Sequence, residues 1–279
     1  MTDAFNREPM SYIRAPLEII YGVYVLLLFL ACGLTAFVAV LLPFGIKTRR
    51  HIAHFAARAF FAVAGLRIRV IDEQSLPSGP CVVVANHASY LDGIVLKAAL
   101  PARFSFVIKK EFSNVPLAGL LLRRIGSEFV DRFNRHAGGM DARRLLKAAD
   151  AGQALAFFPE GTFLAEPGLG KFHSGAFVIA ARVDLPVVPL ALRGTRHILP
   201  SGRFLPRPGR IDIHVLPSVG PMRDMKASDA VIHTRDVAHA RILAELGEPD
   251  RSTSDGIAAM IKTRDRASCH DPRASRPRL

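Results

Sequence analysis

Tryptophan is missing altogether from the 279 residues, and cysteine is nearly so. The three cysteines, Cys32, Cys81 and Cys269, are far apart, odd in number and fit no metal-ligand spacing. That excludes a disulfide framework and a zinc module, and leaves small buried thiols in a reducing compartment. Acidic residues are also scarce, 24 against 37 Lys and Arg, for a formal charge of +13. Such a balance asks for an anionic partner, whether nucleic acid, lipid headgroups or a phosphorylated substrate.

Common catalytic signatures are absent too. There is no G-x-S-x-G elbow, no G-x-x-x-x-G-K-[ST] phosphate loop beyond a hint in GLGKF (168–172), no H-E-x-x-H helix and no G-x-G-x-x-G turn. A covalent serine or cysteine mechanism therefore lacks support. Ser89 stands two residues from His87, a helical spacing at which side chains point apart. His51 and His54 are two metal-type ligands without a third, so no metal is expected.

What is present begins with a long run free of charge, residues 19–46, in a chain of mean hydropathy +0.23. Twenty apolar residues suffice for a bilayer core of ~30 Å, and a signal-peptide core is only about 7–15 residues long. The run therefore reads as a retained membrane helix. Lys47, Arg49 and Arg50 follow it at once, which places the rest of the chain on the cytoplasmic side, at the inner membrane. As one helix of 28 residues it is about 42 Å long. Pro43 and Gly45 near its end allow a hairpin in one leaflet as readily as a span. Residues 51–65 repeat the pattern of an amphipathic interface helix, with His51, His54 and Arg58 on one side.

From residue 66 the texture alternates. Strands are predicted at 66–72, 81–86, 103–110, 127–132, 154–159, 186–194 and 210–219. Helices are predicted at 91–99, 116–125, 140–152 and 175–184, with one more inside 226–247. The expected fold is α/β, a mostly parallel or mixed central sheet flanked by helices, with the membrane helix and the amphipathic helix in front. The expected division is a membrane-anchoring region (1–65), a central domain (66–222), and a C-terminal helix with a disordered tail (223–279). Ligands of such sheets bind beyond the carboxyl ends of the strands. His87, Arg132 and Glu160 all fall at predicted strand ends.

The stretch VVVANHASYLDG (82–93) passes from a buried strand into Asn86, His87 and Asp92. A neutral imidazole can take a proton from a hydroxyl if a carboxylate holds its other nitrogen. Alone, a His and an Asp five apart carry little weight. Three further blocks follow in order: GSEFVDR (126–132), FPEGT (158–162) and VVPLAL (187–192). With NHASYLD (86–92) they resemble the 1-acylglycerol-3-phosphate O-acyltransferase family, the glycerolipid acyltransferases with an H-x-x-x-x-D motif, over roughly residues 66–220.

The resemblance implies roles. His87 is then the general base for the free hydroxyl of a lysophospholipid, and Asp92 sets its tautomer. The alkoxide attacks the thioester of an acyl-CoA or acyl-carrier protein, with no acyl-enzyme and no cofactor besides that donor. Arg132 binds the acceptor phosphate, and Glu160, Gly161 and Thr162 shape the acceptor site. Lys109 and Lys110 look like the family's basic pair, suited to a phosphate or an oxyanion. One departure stands out: where the family usually carries a basic residue after FPEGT, this chain has Phe163, and the downstream FK-x-G reads FHSG. Lys171, Arg193 and Arg196 are the candidates to compensate.

Between residues 97 and 147, eleven Lys and Arg face four Asp and Glu, and RFLPRPGR (203–210) adds three arginines, a pattern suited to anionic lipid. No nucleic-acid module is visible, so nucleic acid is not the expected partner. The expected activity is acylation of lysophosphatidate to phosphatidate at a bilayer surface. The alternatives are the same chemistry on another lysophospholipid, a lyso-aminolipid or glycerol 3-phosphate, or an idle membrane-surface binding protein.

Overall fold

The computed structural model describes residues 10–131, 135–163 and 165–252. Arg132, Cys269 and nearly all of the tail expected to be disordered lie outside them. Two helices lead, α1 (Met10–Leu41) and α2 (Ile46–Val63). Then come β1 (Arg67–Ile71), β2 (Val82–Ala85), α3 (Asp92–Ala99), β3 (Ser105–Lys109), α4 (Ala118–Arg124), β4 (Glu128–Val130) and α5 (Arg135–Asp150). They are followed by β5 (Leu155–Phe157), β6 (Leu169–Gly170), α6 (Gly175–Arg182), β7 (Val187–Arg193), α7 (Thr195–Ile198), β8 (Arg210–Val215), α8 (Ala227–Leu246) and β9 (Asp250–Arg251).

Seven strands form one sheet in the order β1-β8-β7-β2-β5-β3-β4, and β6 pairs with β9 in a separate two-stranded ladder. Every pairing in the large sheet is parallel except β7 with β8. The sheet is therefore mixed. The carboxyl ends of β2, β5, β3, β4 and β7 share one edge.

The apolar runs explain which strands are central. On β2, Val83 and Ala85 face the layer that holds α2 and α3, while Val82 and Val84 face the layer that holds α6 and α8. Strand β7 divides likewise, with Val188, Leu190 and Leu192 on the first face and Val187 and Ala191 on the second. A strand covered on both faces has no polar side to alternate with, so it reads as a continuous hydrophobic run. Each such valine or leucine contributes about 1.5–3 kcal/mol on full burial.

The chain breaks between α1 and α2 at Leu42–Gly45, the Pro43 and Gly45 stretch, and the two helices pack as a hairpin. Helix α2 starts five residues earlier than the expected 51–65, directly after extended Gly45. Its polar stripe keeps His51 and Arg58 exposed, as the amphipathic pattern suggested, while His54 is half-buried and turned to the domain. His54 Nδ1 lies 3.0 Å from the Lys97 carbonyl, and Arg58 donates to the Ala98 carbonyl at 3.5 Å. These are last-turn carbonyls of α3, which lack partners within their own helix, and the α2 stripe supplies them. Arg50 goes further and donates to the carbonyls of Ile125, Arg103 and Gly126 and to Ser105 Oγ, at 3.0–3.3 Å. Arg50→Ala is expected to lower unfolding stability by about 1–3 kcal/mol, because those acceptors lose their donor. A melt in detergent checks this.

Helix α1 contains the apolar stretch Pro16–Leu41, 26 residues long, whose most apolar 18-residue window has mean hydropathy 2.6 and is only 17% buried. This stretch is tied to the rest of the protein near both of its ends. Near its start, Glu18 pairs with Arg203 and Arg207, each at 3.3 Å. A Cβ on Gly22 would stand 2.7 Å from Leu205 Cβ, so the glycine permits this approach. Tyr21 and Tyr24 donate to the carbonyls of Ala64 and Val63 at 3.0 and 2.9 Å. At the far end Arg124, on α4, donates to the Leu41 carbonyl at 2.8 Å.

Candidate active site

Strand β2 stops at Ala85, and Asn86 carries its pairing one step further with a side chain. Asn86 Nδ2 donates to the Leu192 carbonyl at 3.0 Å, and Leu192 N–H donates to Asn86 Oδ1 at 2.7 Å. The turn that follows is anchored by Ser89, whose hydroxyl donates to the Leu199 carbonyl at 2.6 Å and accepts from Leu91 N–H at 3.1 Å. His87 leaves the sheet edge between these two anchors.

Asp92 is the first residue of α3 and fully buried. Its Oδ2 accepts three bonds, from His87 Nδ1 at 2.8 Å, Ala88 N–H at 2.6 Å and Ser89 N–H at 2.8 Å. The five-residue spacing is thus the length of one closed turn folded around a carboxylate. A carboxylate oxygen at Nδ1 takes that nitrogen's proton as a donor and leaves Nε2 with its lone pair. The His87 side chain is 20% exposed, so this free edge reaches the surface while its partner does not.

Aromatic rings hold the imidazole from the sides. Phe158 stacks on it with centroids 4.4 Å apart and planes at 21°. Phe163 lies 4.7 Å away, tilted by 58°, and meets Tyr90 edge-on at 4.8 Å. The basic residue that the resemblance leads one to look for is replaced by a ring beside His87.

Glu160 is buried, and both of its oxygens serve backbone amides. Oε1 accepts from His87 N–H at 2.6 Å and Oε2 from Gly170 N–H at 2.8 Å. It is a strut between the His87 turn and β6. Burial pushes its carboxyl up to about 7, against the pull of those two amides toward the ionised form. Its folded value lies above the ordinary 4.5. It therefore contributes stability that is whole below about pH 4.5 and lost as the pH rises through about 7. Glu160→Gln is expected to flatten the stability profile across that window, a change of about 3 kcal/mol at most, measured by denaturant melts at a series of pH values.

The other predicted residues divide. Gly161, at φ +76°, closes the turn after Phe158, with its N–H on the Phe158 carbonyl at 3.0 Å. Thr162 is exposed on the same loop. Lys109 and Lys110 stand at the same sheet edge but two strands away, about 10 Å at the usual strand spacing. They pair with Glu111 and Asp131, each at 3.2 Å. Arg132 lies outside the described residues. Arg193 and Arg196 pair with Glu245 and Glu248, at 3.6 and 3.2 Å, and so brace the end of α8. Lys171 is exposed. The spacing pattern did not single out Phe158 or Tyr90, although both lie inside the quoted motifs; Ser89 was weighed only as a nucleophile and set aside, and Asn86 was noted but given no role.

Comparison with known proteins bears on this geometry. A family model described as Acyltransferase matches residues 67–193. A chloroplastic 1-acyl-sn-glycerol-3-phosphate acyltransferase of Brassica napus is 33% identical over 186 residues, covering 62% of this chain and 54% of that protein. A 1-acyl-sn-glycerol-3-phosphate acyltransferase of Saccharomyces cerevisiae is 31% identical over 194 residues, covering 67% of this chain and 64% of that one. The chain thus spans about half to two thirds of the length of these relatives. The crystal structure of the 1-acyl-sn-glycerophosphate acyltransferase PlsC from Thermotoga maritima shares the fold. Its TM-score is 0.65 at 22% identity, over 83% of this chain and 95% of that chain.

Proposed function

From the match of residues 67–193 to the Acyltransferase model, we propose that the chain is an acyltransferase of this family and that it acylates the free hydroxyl of 1-acylglycerol 3-phosphate at a membrane surface. The observation that carries the proposal is His87 with its Nδ1 fixed on buried Asp92 and its other edge open at the carboxyl end of β2. In this reading Nε2 takes the acceptor's hydroxyl proton as the oxygen attacks the thioester carbonyl. The tetrahedral intermediate then collapses, the carbon–sulfur bond breaks, and the leaving thiolate recovers the proton from the imidazolium. Asp92 supports the positive charge on the ring between the two steps. Acyl-CoA or acyl-carrier protein supplies the thioester. Arg132, Lys109 and Lys110 are the cations offered to the acceptor or donor phosphates.

We read α1 as lying in one leaflet, with residues 66–222 on the cytoplasmic side. The support is that Glu18 and Leu41, at opposite ends of the apolar stretch, are both tied to the same domain. A helix crossing the bilayer would carry one of those ties, and the arginines that make it, across the hydrocarbon.

A second reading keeps the chemistry and changes the acceptor. Phe163 puts an aromatic wall beside the base, which favours a headgroup less charged than a phosphomonoester. The test offers labelled acyl-CoA and acyl-carrier protein to membranes holding the protein, with lysophosphatidate, other lysophospholipids, a lyso-aminolipid and glycerol 3-phosphate as acceptors. Transfer to lysophosphatidate above the rest supports the first reading. Preference for an uncharged headgroup supports the second. Transfer to none of them would leave a surface-binding protein.

A further inference from the structure

Two parts of the domain beside α1 hold large apolar side chains out into solvent. At one end, the loop whose Arg203 and Arg207 clasp Glu18 carries Phe204, which is 88% exposed. At the other end, α4 sits against the last turns of α1 through Val40, Leu121 and Leu122 as well as the Arg124 bond to Leu41. The turn leading into α4 displays Phe112, Val115 and Leu117, and α4 itself displays Leu120; all four are exposed, Leu117 by 62%.

This second patch is built, not loose. Leu117 has φ +60°, a conformation that costs a residue with a Cβ energy and persists only where the surroundings enforce it. A Cβ on Gly119 would stand 2.3 Å from the Ser113 carbonyl oxygen, so the glycine locks α4 onto the preceding turn. Gly119 N–H and Leu121 N–H donate to the carbonyls of Val115 and Leu117, both at 2.8 Å. A strained, well-bonded turn that keeps a leucine in water has a use for it there. Arg123 and Arg124, in the last turn of the same helix α4, put positive charge beside the patch.

We propose that Phe204 and the Phe112–Leu120 rim are bilayer contacts of the domain, flanking α1 at its two ends so that three elements enter one leaflet together. The proposal rests on the reading of α1 as an in-plane lipid contact. Its occupant is an anionic bilayer, because the exposed apolar side chains stand in the elements tied to the two ends of α1 and have the arginines of those same elements, Arg203, Arg207, Arg123 and Arg124, beside them in the chain. The rim follows β3, so it also sets the open sheet edge beside the lipid surface from which a lysophospholipid enters.

The missing tryptophan makes the test direct. Leu27→Trp, Phe112→Trp and Phe204→Trp each give the full-length protein one indole. Each variant is bound to vesicles of phosphatidylcholine and phosphatidylglycerol with brominated acyl chains. All three are expected to be quenched, and Phe112→Trp and Phe204→Trp to a comparable extent. Quenching of Leu27→Trp with neither domain position quenched overturns the proposal and keeps the α1 reading. An unquenched Leu27→Trp overturns the α1 reading itself. As a functional arm, Leu117→Asp is expected to lower transfer to vesicle-borne acceptor about tenfold and leave transfer to a dispersed short-chain acceptor unchanged. Equal loss on both acceptors overturns it. Loss of a dimer in detergent with vesicle binding intact would give the surface to a second copy of the chain, and would also overturn it.

Discussion

Replacing His87 with alanine is expected to reduce acyl transfer by about 10²–10⁴-fold, the usual contribution of a positioned general base. The fold should survive, because the ring is partly exposed and the turn around it is held by Asn86, Ser89 and Asp92 rather than by the imidazole. A melting temperature within about 5 °C of the parent, beside the lost activity, is the expected pair of results. The measurement is initial rate at saturating acyl donor on the same membranes as the parent. Full activity in a folded His87→Ala protein would remove this residue from the chemistry and with it the proposed mechanism.

The second large effect concerns the buried carboxylate. Asp92 gives one oxygen to three donors, while its other oxygen is buried without a hydrogen-bond partner among the described residues. Asp92→Asn can keep an amide oxygen where Oδ2 now sits, so the turn and the tautomer are preserved and the negative charge alone is lost. Support for an imidazolium at about 4 Å is worth about 4 kcal/mol at an effective dielectric of 20, close to a thousandfold in rate. The loss should fall on kcat, because the charge matters only once the ring has taken a proton. Asp92→Ala removes the acceptor as well. It leaves two buried amides unpaired, at about 1–3 kcal/mol each, and should lose stability along with rate. If Asp92→Asn and Asp92→Ala had the same rate and the same stability, Asp92 would be a structural cap rather than a partner of the base.

Much of this was legible from patterns of short range. The strands and helices around the site follow from apolar runs and their interruptions, and observed boundaries fall within a few residues of the expected ones. Helix α5 starts at Arg135 instead of 140 because its early residues carry no apolar period to mark the start. The ladders of β6 with β9 were invisible, since two-residue strands have no period at all. Asp250 and Arg251 therefore belong to a strand although they open a stretch that reads as disordered. The aromatic enclosure of His87 was hidden for another reason. Its members stand at 87, 90, 158 and 163, and only the parallel pairing of β2 with β5 brings those loops together.

The sequence by itself determined the class of fold, the long apolar N-terminal helix, and the His87–Asp92 pair, because each depends on local composition or on a spacing closed within one turn. Only the tertiary structure decided that His54 and Arg58 of α2 meet the last carbonyls of α3, that Glu160 braces His87 through its backbone, and that α1 runs along the domain from Glu18 to Leu41. Those outcomes depend on which carbonyls, amides and carboxylates are left unpaired when distant segments meet. That is an accounting over the whole molecule, and no window of residues contains it.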